Sequence, residues 1–491
     1  NKVGSNKPDG SYALYRVGDG EVELLTDQMS SRSIWYYFDE ERLIASSSQR
    51  ALAMLLGSFE PETSNYPWML SAGKLRFMHA WDRRVKRLPL NSRLHLVRRD
   101  WQLKIESQPF EFDKMVATEE EHETQFAQSM QDTFSELNID LDRWLVPLSG
   151  GYDSRGIALG LSKHKPINTI AWGTPETANN PKGDNWIAER VSRKLNTRHQ
   201  LYPLDSAINV QNIDVIIDRF LRNSEGQVDH ISSYMDGFKL WKDIFESNYH
   251  GVIRGDVAFS ATTFKSAWDG FITRSLLTLA EYSNTKRLEH VLRELPQERH
   301  PSLSPLPGES MVGFTQRTIG TYYVTMISVP LNDLKSVYCE VLTPLLAKNV
   351  VSAFNQLPEH MMASRKLYKK IITDQLPEIE IAQNAAIESK VRIVNSPEIS
   401  AHILSYLHEN RGTPLFSDAV YSELLDFVET HADPEKAARP PSLLFRVIRK
   451  LRKIVGRQIQ SLDPMLLGFR LYIILKSHTL FSEDAKALRL H

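Results

Sequence analysis

One cysteine, Cys339, stands in a chain of 491 residues. That scarcity excludes a disulfide scaffold, Cys-rich zinc sites, iron–sulfur clusters and Cys-x-x-Cys redox chemistry together. Cys339 itself reads as a buried structural thiol among helices. Charge of one sign is also missing: 59 Lys and Arg face 60 Asp and Glu, a formal net charge of −1. No global field draws nucleic acid or an anionic membrane, so such binding needs a local patch. No apolar run reaches the roughly 18 residues that span a bilayer. The opening Asn1-Lys-Val-Gly-Ser has no signal-peptide apolar segment, and the expectation is a soluble cytoplasmic protein. The chain starts without Met inside a β-rich segment, so its first residue need not be the biological one. With 42% apolar and 24% charged residues, disorder and fibre are excluded and two or three cores are affordable.

Residues 11–17, 22–25, 34–38 and 43–45 are short β-type runs separated by Asp-Gly pairs and acidic turns, which predicts antiparallel hairpins. A helix is expected at 48–56, with Ser48 as cap and Gly57 as stop. Runs at 75–81, 91–97 and 101–106 complete a compact α+β unit over 1–112. A polar, acidic stretch then precedes a helical period from 119 to 138 (Phe126, Met130, Phe134, Leu137), which places a domain boundary at 112–118. Beyond it, strands at 144–148, 167–172, 199–204 and 251–253 alternate with helices at 154–163, 185–196, 213–221 and 232–246. That alternation predicts right-handed βαβ units in a doubly wound parallel sheet, whose ligands bind at the C-terminal strand ends. From about 265 to 491 the period is mostly helical, interrupted by a Pro-rich loop at 296–307. The 446–457 segment is a basic amphipathic helix, read chiefly as a solvated face, with a nucleic-acid or partner surface as the alternative.

The most informative stretch runs from Leu145 to Gly156. An apolar strand ending at Leu148 enters Ser149-Gly150-Gly151-Tyr152-Asp153-Ser154 and passes straight into a helix. The glycines let backbone N–H groups approach a ligand closely, and the helix N-terminus favours a multiply charged anion. Ser149 and Ser154 add hydroxyl donors, and Asp153 is suited to a divalent cation bridging that anion. The pattern is neither a Walker A loop nor a Gly-x-Ser-x-Gly elbow. It resembles the PP-loop of ATP pyrophosphatases, in which ATP is cleaved between its α and β phosphates.

Several further segments, in order, resemble the asparagine synthetase-like ligases. Asp184-Asn-Trp-Ile-Ala188 through Leu195-Asn196-Thr197-Arg-His199 is similar to their acidic helix ending in Leu-Gly-Thr-x-His, with Asn196 at a helix C-cap where the family has Gly. Arg254-Gly255-Asp256-Val257 resembles their Gly-x-Asp-Glu turn with one carboxylate missing, and Arg254 is a candidate replacement phosphate ligand. Glu340 to Pro344, Lys366 to Lys369, Leu376-Pro377 and Ala385 to Lys390 resemble their later motifs. Asp9 to Leu14, Asp27 to Tyr37, Ser46 to Leu52 and Lys86 to Leu94 are similar to the second half of the family's class II glutamine amidotransferase domain, an Ntn-hydrolase-like fold. The resemblance covers about 9–395.

The resemblance implies an N-terminal unit at 1–112 and a PP-loop synthetase unit with a large helical C-terminal part at 118–491. The implied reaction is carboxylate activation by ATP to an acyl-adenylate and pyrophosphate, then attack by ammonia or an amine. Leu148, Ser149, Gly150, Gly151, Asp153, Ser154, Trp172, Asp184, Arg254, Gly255 and Asp256 would line the ATP site, with Mg²⁺ on Asp153 and Asp256. Lys390 would act with Asp153 in catalysis, with Lys366, Lys369 and Lys370 as competitors for its place. Asp184 is read either as lining the site or as capping its helix. The family's glutaminase uses an N-terminal Cys, and this chain begins with Asn1. The implied partners are a small-molecule or peptide carboxylate and an amine, with a homodimer or a partner protein left open. A nucleotide-binding scaffold that has lost catalysis and a PP-loop tRNA-modifying enzyme are the alternatives.

Overall fold

In the β-rich first quarter, alternation sets the pairing. The computed structural model describes residues 2–108, 115–163, 165–174, 179–204, 213–431 and 460–488. The strands here are β1 (Ala13–Gly18), β2 (Glu21–Thr26), β3 (Trp35–Phe38), β4 (Leu43–Ser46), β5 (Lys86–Arg87), β6 (Ser92–Val97) and β7 (Gln102–Ser107). They form two antiparallel sheets, ordered β1-β2-β6-β7 and β4-β3-β5. Helix α1 (Gln49–Leu56) begins where Ser48 Oγ accepts from the Ala51 N–H at 3.1 Å and ends at Gly57, whose φ of 66° only glycine adopts cheaply. Helix α2 (Asn65–Ala72) follows. The run at 75–81 is not a strand: it makes one isolated bridge, His79 with Lys86, and Lys74 just before it makes another with Val228. Its alternate side chains are drawn into different contacts rather than into one sheet face.

After α3 (Glu119–Ser135) the strands β8 (Trp144–Pro147), β9 (Asn168–Gly173), β10 (Arg198–Pro203), β11 (Gly251–Ile253) and β12 (Glu340–Leu342) make a wholly parallel five-stranded sheet, ordered β10-β9-β8-β11-β12. The chain fills one side of β8 and then returns to fill the other, so strand order reverses between β8 and β11. Both faces are buried. Leu145, Ile170, Val252 and Val341 enter one apolar core, while Trp144, Val146, Ala171 and Ile253 enter another, as the period of two requires. Helices α3, α4 (Tyr152–Ser162) and α5 (Asp184–Leu195) cover the second face, and α6 (Ile213–Ser224) the first. The molecule is thus mixed α/β around a parallel sheet.

The helix expected at 232–246 is broken: Gly237 and Phe238 both have positive φ, and α7 (Lys239–Glu246) restarts after them. Asn196 closes α5 in the left-handed conformation, at φ 52°. Cys339 is buried but lies directly before β12, a strand the helical period of this region conceals. Further helices include α8 (Lys348–Asn355), α9 (Lys366–Gln375) and α10 (Pro464–Ala487). The basic segment 446–457 lies outside the described residues. Helix α10 packs into the same core as α1 and α2, with Ala53, Trp68, Leu70, Leu467 and Leu471 in one cluster. Among the described residues no helix is long and apolar enough to cross a membrane.

Candidate functional site

β8 delivers the chain to the strand-order reversal, where open α/β sheets have their crevice. There the backbone turns through Ser149, Gly150 and Gly151 into α4. Leu148 is buried and its N–H donates to the Ile170 carbonyl at 2.8 Å, the last tie before the turn. The loop is held by its own hydroxyls: the Ser149 N–H donates to Ser154 Oγ at 2.9 Å, and the two serine hydroxyls share a hydrogen bond of 2.8 Å. The Gly151 N–H donates to Ser149 Oγ at 3.2 Å.

Of the two readings of Asp184, geometry removes the helix cap. Gly183, not Asp184, caps α5, and the Asp184 carboxylate instead accepts the Gly150 N–H at 2.8 Å. Burial pushes that carboxyl above the usual range, against the stabilising donor. A Cβ on Gly150 would lie 2.4 Å from Ala382 Cβ, so the loop tolerates no side chain there. Arg155, which the sequence reading did not single out, is buried in α4. It donates to the carbonyls of Ile379 at 2.8 Å, Glu380 at 2.8 Å and Gly150 at 3.2 Å, fastening the 379–382 segment behind the loop.

The second turn closes onto the first. A Cβ on Gly255 would lie 2.5 Å from the Asp153 carbonyl carbon and 2.7 Å from the Ser154 nitrogen, so the 254–256 turn is in backbone contact with the start of α4. Asp153 and Asp256 are thereby brought into electrostatic range of each other. Each has an arginine. Arg254 Nε and Nη2 reach Asp256 at 3.1 and 3.3 Å, and Asn332 Nδ2 donates to the same carboxylate at 2.8 Å. Burial disfavours the charge on Asp256, but Arg254 and Asn332 hold it below the usual carboxylate range. Asp153 pairs with Arg365, yet burial keeps its carboxyl above the ordinary value. Arg365 and the preceding Ser364 have φ of 48° and 51°, backbone strain placed where it aims a cation at the loop. Neither Arg365 nor Asn332 was legible from the loop motif.

Trp172 lies on β9, its ring 5.8 Å from that of Trp241 in an edge-on contact. Lys390 is anchored away from the serine loop: its Nζ contacts Asp229 Oδ1 at 2.5 Å. The segment leading to it starts at the loop, where the Ala382 N–H donates to the Gly150 carbonyl at 3.1 Å and the Thr174 N–H reaches Ala386 O at 3.4 Å. Asp229 is fully buried and also takes Arg470 Nε at 2.7 Å. Burial opposes its charge, but Lys390 and Arg470 hold it well below the ordinary range, while burial lowers Lys390. Of the competitors, Lys370 pairs with Glu123 and Asp374, and Lys369 Nζ donates to the Ala261 carbonyl at 3.1 Å.

The donor set bears on the metal question. Among the described residues no group of three or more His, Cys, Asp or Glu side chains could hold a metal ion. Two carboxylates facing one loop suit a small hard cation that takes its remaining oxygens from phosphates and water, not an all-protein cage. No protein-family model matches the chain, and no curated protein is significantly similar to it.

Proposed function

We propose that the chain is an ATP-dependent, AMP-forming amide ligase of the asparagine synthetase type. The observation that carries the reading is the Ser-Gly-Gly-x-Asp-Ser loop at the strand-order reversal, with the Gly255 turn in backbone contact with it. The helix N-terminus, the Ser149 and Ser154 hydroxyls, and the Arg254 and Arg365 guanidiniums paired with Asp256 and Asp153 support the reading of a polyphosphate ligand here. The substrate carboxylate oxygen attacks the α-phosphorus and the bond to the β-phosphate oxygen breaks, releasing pyrophosphate. An amine or ammonia then attacks the acyl carbon and AMP leaves.

The protein's part is positioning and charge stabilisation. Ser149, Gly150, Gly151 and Ser154 cradle the departing pyrophosphate. For this, the Gly150 N–H turns from Asp184 to the ligand. Asp153 and Asp256 would hold Mg²⁺, which supplies charge neutralisation on the phosphates when bound. Val257 stands where the family has a Glu, and Arg254, three positions before it, takes over part of that neutralisation. Lys390, held by Asp229, remains the candidate source of positive charge on the α-phosphate and would have to exchange that partner for the nucleotide. Trp172 and the backbone at Leu148 are the candidate neighbours of the adenine, at the ends of β9 and β8.

A second reading, a nucleotide-binding protein without catalysis, is favoured by the two arginines that already occupy Asp153 and Asp256. Measuring pyrophosphate release from ATP with candidate carboxylates separates the two. The ligase reading expects AMP and pyrophosphate from the native protein and neither from Asp153→Ala; tight ATP binding with no turnover for any acid supports the second.

A further inference from the structure

Away from the strand-end crevice, a polar cavity of about 600 Å³ opens between the N-terminal segment, strands β6 and β7, and the start of α8. Three cations face it: Lys7, Arg93 and Lys348. Lys7 lies within electrostatic range of both other cations. Among the described residues its Nζ donates to a neutral oxygen, Asn91 Oδ1, at 3.1 Å. Two carboxylates, Asp9 and Glu106, share the cavity wall, and each nearby carboxylate has partners of its own, Arg93 among them. Asp9 accepts the Lys348 N–H at 2.7 Å and the Asn349 N–H at 3.4 Å, capping α8. Glu106 is bridged by Lys104 at 2.6 Å. Asp27, which lies behind Tyr12, is fully buried and accepts the N–H groups of Tyr12, Met29 and Ser31 and the Ser31 hydroxyl. Glu23 takes Arg93 at 3.2 Å and also serves Arg16.

We propose that this cavity is a binding site for a small multivalent oxyanion, a phosphate ester or a polycarboxylate, held by Lys7, Lys348 and Arg93 with the side-chain amides of Asn91 and Gln28 around it. Cations that converge on one solvent-filled cavity repel one another, and an anion there relieves that repulsion while bridging the N-terminal unit to α8. Burial and the neighbouring Arg93 already lower the Lys7 ammonium from 10.5 to about 8, with Lys348 adding to the effect and Asp27 and Glu106 opposing it. Tyr12 is pushed up to about 12 by burial and Asp27, so it stays a neutral hydroxyl in this setting.

Titration calorimetry of the full chain with citrate, and separately with inorganic phosphate, tests this. We expect at least one to bind, binding to weaken tenfold or more in Lys7→Gln/Lys348→Gln, and binding to persist in Asp153→Ala, since the PP-loop is not involved. Binding by citrate alone assigns a polycarboxylate, by phosphate alone a phosphate group. Acetylation of Lys7 by an N-hydroxysuccinimide ester, followed by peptide mass spectrometry, is expected to be half-maximal near pH 8 and to slow when the anion is added. No binding by either anion at millimolar concentration, equal binding by a folded double variant, or loss of binding in Asp153→Ala would overturn the proposal.

Discussion

At the scale of single residues, the site depends on close approach more than on any one functional group. Gly255 is the clearest case, because its hydrogen stands where a Cβ would meet the Asp153 backbone at 2.5 Å. Gly255→Ala forces the 254–256 turn away from the loop, and overpacking of this kind costs about 1–3 kcal/mol. We expect that loss in urea denaturation together with loss of ATP binding in calorimetry; native stability and native affinity in the variant would show that the two turns do not work as one site. The loop itself was legible in the sequence because its information is local: strand, two glycines, a hydroxyl at each end, then a helix. The partners that complete it were not. Arg365 meets Asp153, and Asp229 meets Lys390, across sequence separations of 212 and 161 residues, which no local pattern encodes.

At the scale of elements, α1 shows how two parts of the chain are joined. Its N-terminus is capped twice, by its own Ser48 and by the buried carboxylate of Glu225 from the end of α6, which accepts the Gln49 N–H at 2.8 Å. Burial raises the Glu225 carboxyl from 4.5 to about 7, against the help of those donors and Arg50. An acid raised in the fold binds more protons there than in the unfolded chain. Its contribution is therefore fully present below pH 4.5 and is lost as pH rises through about 7. Glu225→Gln keeps an acceptor for the helix and removes the titration. Its stability relative to the native protein should improve by on the order of 3 kcal/mol between pH 4.5 and 8, in parallel denaturation series. A constant difference across that range would contradict the assignment. Helix limits here were readable from sequence because Ser48 is a local start signal and Gly57 and Asn196 are local stop signals. The break at Gly237 and Phe238, and the three-residue β12, were hidden: a continuous apolar period runs through the first, and the second gains its strand geometry only by pairing with β11.

At the scale of the whole molecule, the N-terminal sheets and the parallel-sheet unit are mechanically one. Trp81 Nε1 donates to the Glu225 carbonyl at 2.8 Å, Arg32 reaches Glu340 at 2.8 Å, and Arg470 from α10 donates to Leu70 and Ser71 while pairing with Asp229. The composition predicted enough apolar material for separate cores, but not that α1, α2 and α10 would pool theirs, because that depends on tertiary contacts across 400 residues. Scanning calorimetry is expected to show one cooperative transition, and Arg470→Leu to lower it, since it takes one of two cations from a fully buried carboxylate and leaves Lys390 alone to balance it, at a cost of up to about 3–5 kcal/mol. Two separate transitions would contradict a shared core. The central claim concerns the serine-glycine loop that this frame places at the strand-order reversal. It is tested most directly by incubating the full chain with ATP, Mg²⁺ and a protein-free small-molecule extract as the source of carboxylate and amine, and identifying the nucleotide and phosphate products. The account predicts AMP and pyrophosphate in equal amounts from the native chain and neither from Asp153→Ala; ADP with inorganic phosphate, or equal AMP formation by the variant, would contradict it.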